Sequence, residues 1–232
     1  MSLADKLTTV AENIPRVYQA GYDKFWDDYQ DKGARTDYNH AFRGIGWQYS
    51  FKPKYNMQPL KAVAMFSGWG NSSNNVDLQA VLDEAGVTLD LSKAPSLNEI
   101  FNSSTVITRI GVINASSATT CNYMCNSASI LKTIDKFIVT DKTTSLTGAF
   151  DYCPALENIV IEGTIGANIS FSSCTKLTKS SITSIINALS STSTGKTLTL
   201  SNTAITSAFG GTDSSEWQEL TGTKTNWTIS LI

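Results

Sequence analysis

The sequence predicts an α/β repeat: a solenoid with one parallel β-sheet, helices on its convex side and a separate helical segment at the N-terminus. Three observations carry this. First, "GAFDYCPALENIVIEG" (148–163) is one copy of a recurring unit. With Phe150 as anchor, Cys153 stands at +3, Leu156 at +6, Ile159 at +9 and Ile161 at +11. Phe101 heads a matching frame with Ser104, Ile107, Ile110 and Val112, Cys125 one with Leu131 and Ile134, and Phe171 one with Cys174 and Leu177. Weaker anchors sit at Phe42 and Phe66, which makes the spacings 24, 35, 24, 25 and 21 residues. Second, each unit holds a short aliphatic strand. Third, the longer intervals carry helix-period segments. A period of about 20–29 residues with one strand per copy marks a leucine-rich-repeat solenoid, because a single coil cannot bury its apolar face until neighbours stack on it.

Taken in order, residues 1–33 predict a helical cap or attachment segment. Leu3, Leu7, Val10, Ile14 and Val17 step by 4, 3, 4 and 3, a heptad seam of about two heptads, which Pro15 kinks. Tyr22, Phe25, Trp26 and Tyr29 follow in a second phase. Residues 34–205 are the predicted solenoid. Its strands are 87–91, 110–113, 136–139, 158–161 and 196–200, all expected in one sheet. "NVDLQAVLDEAG" places Leu78, Val81, Leu82 and Ala85 at helical spacing before a terminating Gly86, and "KSSITSIINALSS" does the same with Ser180 or Ser181 as cap. Residues 206–232 close the stack, with Trp217, Leu220, Trp227 and Ile229 apolar enough for a final strand.

The units "AFDYCPALENIVI" and "SFSSCTKLT" resemble BspA-type leucine-rich repeats over roughly residues 40–205, with no Leu-Pro before each strand and one 35-residue interval as departures. "MSLADKLTTVAENIPRVYQAGY", "FWDDYQDKGARTDYNHAF" and "FKPKYNM" are similar to a narrower group, the leucine-rich-repeat proteins of phages and prophages of intestinal Gram-positive bacteria. This resemblance implies a virion or tail-associated recognition protein. It names no receptor.

Composition narrows the chemistry. Charged residues are 16% of the chain, low against an average of about a quarter, and a net charge of −2 offers nothing for nucleic acid or anionic lipid. The N-terminus lacks a signal peptide's basic start and apolar core, and no apolar run approaches a membrane span. The expectation is a protein made in the cytoplasm that becomes virion-associated. Cys121, Cys125, Cys153 and Cys174 lack metal-site spacing and read as buried free thiols.

No cofactor, metal or catalytic constellation is expected. His40 is the one histidine, and no GxSxG elbow accompanies it. "STGKT" (193–197) lacks the GxxxxG frame of a phosphate loop. Asp23, Asp27, Asp28 and Asp31 form a solvated helix face rather than carboxylates opposed across a cleft.

The favoured expectation is therefore a non-enzymatic recognition or adhesion module. It would bind a protein or glycan on a bacterial surface through outward strand residues and loops: Arg109, Lys132, Lys136, Tyr152, Asn158 and Glu162. Leu3, Leu7, Val10 and Tyr22 are the candidates for assembly, joining copies into a homo-oligomer or meeting neighbouring virion proteins. Two alternatives stay open: a structural spacer or capping protein of a virion, and a glycan-degrading tail enzyme. Release of reducing ends from cell-wall polysaccharide would single out the enzyme.

Overall fold

Each unit begins with a tight turn whose aromatic anchor points inward. In the computed structural model, which describes residues 37–39, 41–43, 53–70 and 75–232, these anchors stack on one another. Phe42 lies 5.2 Å from Phe66, Phe66 lies 5.4 Å from Phe101, and Phe150 lies 4.7 Å from Phe171, ring centroid to ring centroid and each pair stacked. Cys125 takes the anchor position between Phe101 and Phe150 and is equally buried. The +3 side chains explain why that position is small and weakly polar. Ser104 Oγ donates to the carbonyl of Phe66 at 2.7 Å, Cys153 Sγ to that of Cys125 at 3.0 Å, and Cys174 Sγ to that of Phe150 at 3.5 Å. Each ties one turn to the anchor of the turn before it. The predicted helical segment 1–33, the assembly candidates Leu3, Leu7, Val10 and Tyr22, the aspartates of residues 23–31, and His40 lie outside the described residues.

Two strands of each turn's worth of sequence do not make one sheet. β1 (Val76–Asp77), β2 (Ile107–Asn114), β3 (Thr133–Val139) and β4 (Asn158–Gly163) form a four-stranded parallel sheet in that order. β5 (Ile169–Phe171), β6 (Lys196–Leu200) and β7 (Trp227–Leu231) form a separate three-stranded parallel sheet. With four helices, α1 (Leu78–Ala85), α2 (Lys179–Asn187), α3 (Asn202–Phe209) and α4 (Ser215–Gly222), the described chain is an α/β fold of two small sheets. This corrects the expected leucine-rich-repeat solenoid with a single continuous sheet.

The break has a local cause. Where a fifth strand would pair with β4, the chain forms α2, and two serines of that helix supply the missing partners. Ser181 Oγ accepts from the Ile159 N–H at 3.0 Å and donates to the Glu157 carbonyl at 3.0 Å. Ser184 Oγ accepts from the Ile161 N–H at 2.8 Å. Hydroxyls thus satisfy the buried edge of β4, which would otherwise lose a hydrogen bond at each group.

The helices also sit differently from expectation. α1 packs beside β2, with the Gln79 side chain over Gly111, and α2 lies along β4, so both flank the first sheet at its edges instead of lining a convex side. Gly86 ends α1 at φ +65°, as its position predicts, with its N–H on the Asp83 carbonyl. Thr178, rather than Ser180 or Ser181, caps α2 by accepting from the Ser181 N–H. Residues 87–91 form no strand, only a bridge between Met57 and Leu89. Trp217 and Leu220 lie on α4, leaving β7 as the closing strand.

Register is corrected at one further point. Ile134 and Phe137 of β3 pair with Ile159 and Ile161 of β4, so β3 spends an extra residue between two inward side chains. β2 shares this irregularity: Ile110 and Gly111 are both buried, Ile113 pairs with Phe137, and Val112, expected inside, is 44% exposed.

Candidate binding face

The outward side chains of β2, β3 and β4 line up because parallel register places them side by side. Arg109, Thr133 and Asn158 share one row. Val112 pairs with Lys136, and Ile138 with Glu162. Among the described residues no helix lies across this face, and Val112 and Val160 stand in solvent, the latter 52% exposed.

Charge on the face is locally balanced. The Arg109 guanidinium grips Asp135 with both ends, Nε to Oδ1 at 2.9 Å and Nη2 to Oδ2 at 2.6 Å, while Nη1 reaches Asp77 Oδ2 at 3.3 Å. The hydrogen bonds to Asp135, and then to Asp77, hold the guanidinium even more firmly protonated than usual, against a smaller opposing effect of desolvation. Asp77 has a second task, since its Oδ1 accepts from the Ala80 N–H and caps α1. Arg109 therefore links a helix start to the middle of the sheet. Lys136 Nζ meets Glu162 Oε2 at 2.6 Å. These side chains are a third or more exposed, so the pairs order the surface more than they stabilise the fold.

Of the six residues expected on the ligand face, Arg109, Lys136, Asn158 and Glu162 lie on the strands of this sheet. Lys132 directly precedes β3, its carbonyl accepting from the Glu157 and Asn158 N–H groups. Tyr152 is apart, 69% exposed on the turn before β4. Asp77 and Asp135, which position Arg109, were not anticipated, because pairing across strands depends on a register that spacing alone does not give. Val112 and Val160 were missed for the same reason in one case and by neglect of strand alternation in the other; position 160 between buried Ile159 and Ile161 was readable.

Beside the face, α1 and β2 enclose a hollow of about 180 Å³ lined by Leu78, Leu82, Val87, Ile110 and Val112, with Gln79 at its edge. It is small and largely apolar. All four cysteines are reduced and buried. Burial pushes Cys121 and Cys153 up to about 12 and raises Cys125 and Cys174 well above the ordinary thiol range, so none is a ready nucleophile. Among the described residues no group of three or more His, Cys, Asp or Glu side chains could hold a metal ion, and no helix is long and apolar enough to cross a membrane.

Compared with known proteins, the chain matches no protein-family model, no curated protein and no solved structure.

Proposed function

We propose that this chain is a recognition module without enzymatic activity, carried on a phage particle or prophage tail, that binds a bacterial surface ligand through the outward face of β2–β4. The observation that supports this reading most is the open face itself. Parallel sheets ordinarily have both faces covered, since the crossover segments between strands pack across them. Here the intervening segments run to the edges and into the core, and the outer side is left with Val112, Val160, Asn158, Lys136 and Glu162 toward solvent. Ion pairs and register hold that side chain array in a fixed arrangement, which reduces the ordering required on binding. The likeness of "FWDDYQDKGARTDYNHAF" to phage and prophage proteins supports the location on a virion or tail.

The test is direct. Fluorescently labelled protein is incubated with intestinal Gram-positive cells, beside a double variant, Val112→Glu with Val160→Arg, on exposed positions that do not enter the core. Saturable binding by the parent, lost in the variant with an unchanged circular dichroism spectrum, is expected. No binding to any envelope preparation, or equal binding by both proteins, would refute the proposal.

A further inference from the structure

Each turn carries two backbone positions in the left-handed region, four residues apart, and these stack into two columns. One column holds Ala64, Glu99, Tyr123 and Gly148; the other holds Gly68, Ser103, Ser127 and Tyr152. The columns are knit together by backbone bonds, from Glu99 N–H to the Asn122 carbonyl and from Ser127 N–H to the Asp151 carbonyl. A left-handed φ suits glycine and is rare for a bulky residue. Tyr123 at φ +53° and Tyr152 at φ +56° both adopt it, and both remain exposed, 46% and 69%. Neither ring is held there by core packing.

The surroundings of Gly148 join the two. A Cβ at this glycine would meet Tyr123 Cδ1 and Cε1 at 2.6 and 2.7 Å, so the Tyr123 ring lies over the bare backbone of the next turn. From the same point the Asp151 carboxylate is 3.4 Å away. That carboxylate has no hydrogen-bond or ion-pair partner among the described residues. The turn 148–152 thus carries one aromatic ring laid over its start, another rising from its end, and an unengaged acceptor between them.

We propose that this turn is a stacking subsite for a neutral sugar ring, a proposal that rests on the surface-recognition reading above and specifies its ligand as glycan. A pyranose has a face of C–H bonds, which the negative face of a tyrosine ring attracts, and a rim of hydroxyls. An ionised carboxylate is acceptor-only and takes hydroxyl donors on its two oxygens. An anionic glycan would be repelled by Asp151. An organic ammonium would be held best inside a cage of rings, whereas these two rings are set along one turn as an open platform.

The experiment is saturation-transfer NMR on the full chain with glucose, galactose, N-acetylglucosamine and N-acetylgalactosamine as separate probes, repeated with Tyr152→Ala and Asp151→Asn. Both substitutions fall on a turn surface, and circular dichroism checks that each variant stays folded. Transfer to at least one sugar, reduced fivefold or more by each substitution, is expected. No transfer to any of the four, transfer that survives both substitutions, or displacement of the sugar by tetramethylammonium would overturn the subsite. Cell binding that is indifferent to Tyr152→Ala also overturns it while leaving surface recognition standing. Sugar transfer without cell binding does the reverse.

Discussion

Replacing Ser181 and Ser184 by alanine removes the hydroxyls that end the four-stranded sheet. In the parent, the Ile159 N–H reaches Ser181 Oγ at 3.0 Å and the Ile161 N–H reaches Ser184 Oγ at 2.8 Å. Ser181 is 2% exposed, and Ile159 is equally shielded, so water has poor access to the first of these groups once the hydroxyl is gone. An orphaned buried N–H costs roughly 1–3 kcal/mol. Ser181→Ala should fall in that range. Ser184→Ala should cost less, about 0.5–1.5 kcal/mol, because its site is only half-buried and a weak hydrogen bond is replaced by water. For a chain of this size about 1 kcal/mol moves the melting temperature by roughly 2–4 °C, so Ser181→Ala should lower it by roughly 2–12 °C. Amide hydrogen exchange gives a local readout: Ile159 and Ile161 should lose protection while Ile113 and Phe137, paired inside the sheet, keep theirs. A variant that melts with the parent and exchanges as slowly at Ile159 would show that these hydroxyls do not terminate the sheet.

Other outcomes follow from single contacts. Gly163 sits at φ +96° with a would-be Cβ only 2.1 Å from the Val139 carbonyl oxygen, so Gly163→Ala should destabilise by more than about 2 kcal/mol in denaturant unfolding. The buried thiols should resist a mild alkylating reagent in the native state and react in denaturant; rapid native labelling of Cys125 or Cys174 would contradict their burial. They also set an alkaline limit. Cys121 and Cys153 keep their protons to about 12 when folded, against an ordinary value of 9.0, so between those values the unfolded chain binds fewer protons than the folded one. Stability should be flat in this respect below pH 9 and fall as pH rises above it, and Cys153→Ser should change that alkaline slope.

Much of the local structure was readable because it follows from spacing. Phe42, Phe66, Phe101, Phe150 and Phe171 recur at intervals close to one turn, and the same side chains form the ring stacks of the core. The aliphatic stretches at 110–113, 136–139, 158–161 and 196–200 lie in strands. Where the reading failed, the deciding interaction joined distant residues. The helical period of 179–187 is plain, but nothing in it says that Ser181 and Ser184 will face a strand edge 22 and 23 residues earlier. Sheet continuity was lost there. The extra residue in β3 leaves no mark in composition, and it moved Val112 from the expected core to the surface. The short helices α3 and α4 were hidden by threonine- and serine-rich sequence with weak apolar periodicity. Of the outward residues, alternation identified Arg109, Lys136, Asn158 and Glu162, while the aspartates that fix Arg109 needed the register of three strands. The platform at Gly148 was least legible, since a left-handed φ at tyrosine has no sequence signature.

Lysine footprinting on the cell-bound protein reads the binding face most directly. Lys132 and Lys136 border the outward side of β3, whereas Lys93 and Lys142 are exposed in turns outside the strands. Brief acetylation followed by peptide mass spectrometry compares all four in the free and bound states. Protection of Lys132 and Lys136 on binding, with Lys93 and Lys142 modified at their free rates, is the expected result. Unchanged modification of Lys132 and Lys136 in protein that is demonstrably bound would place recognition elsewhere and contradict the assignment of the open sheet face.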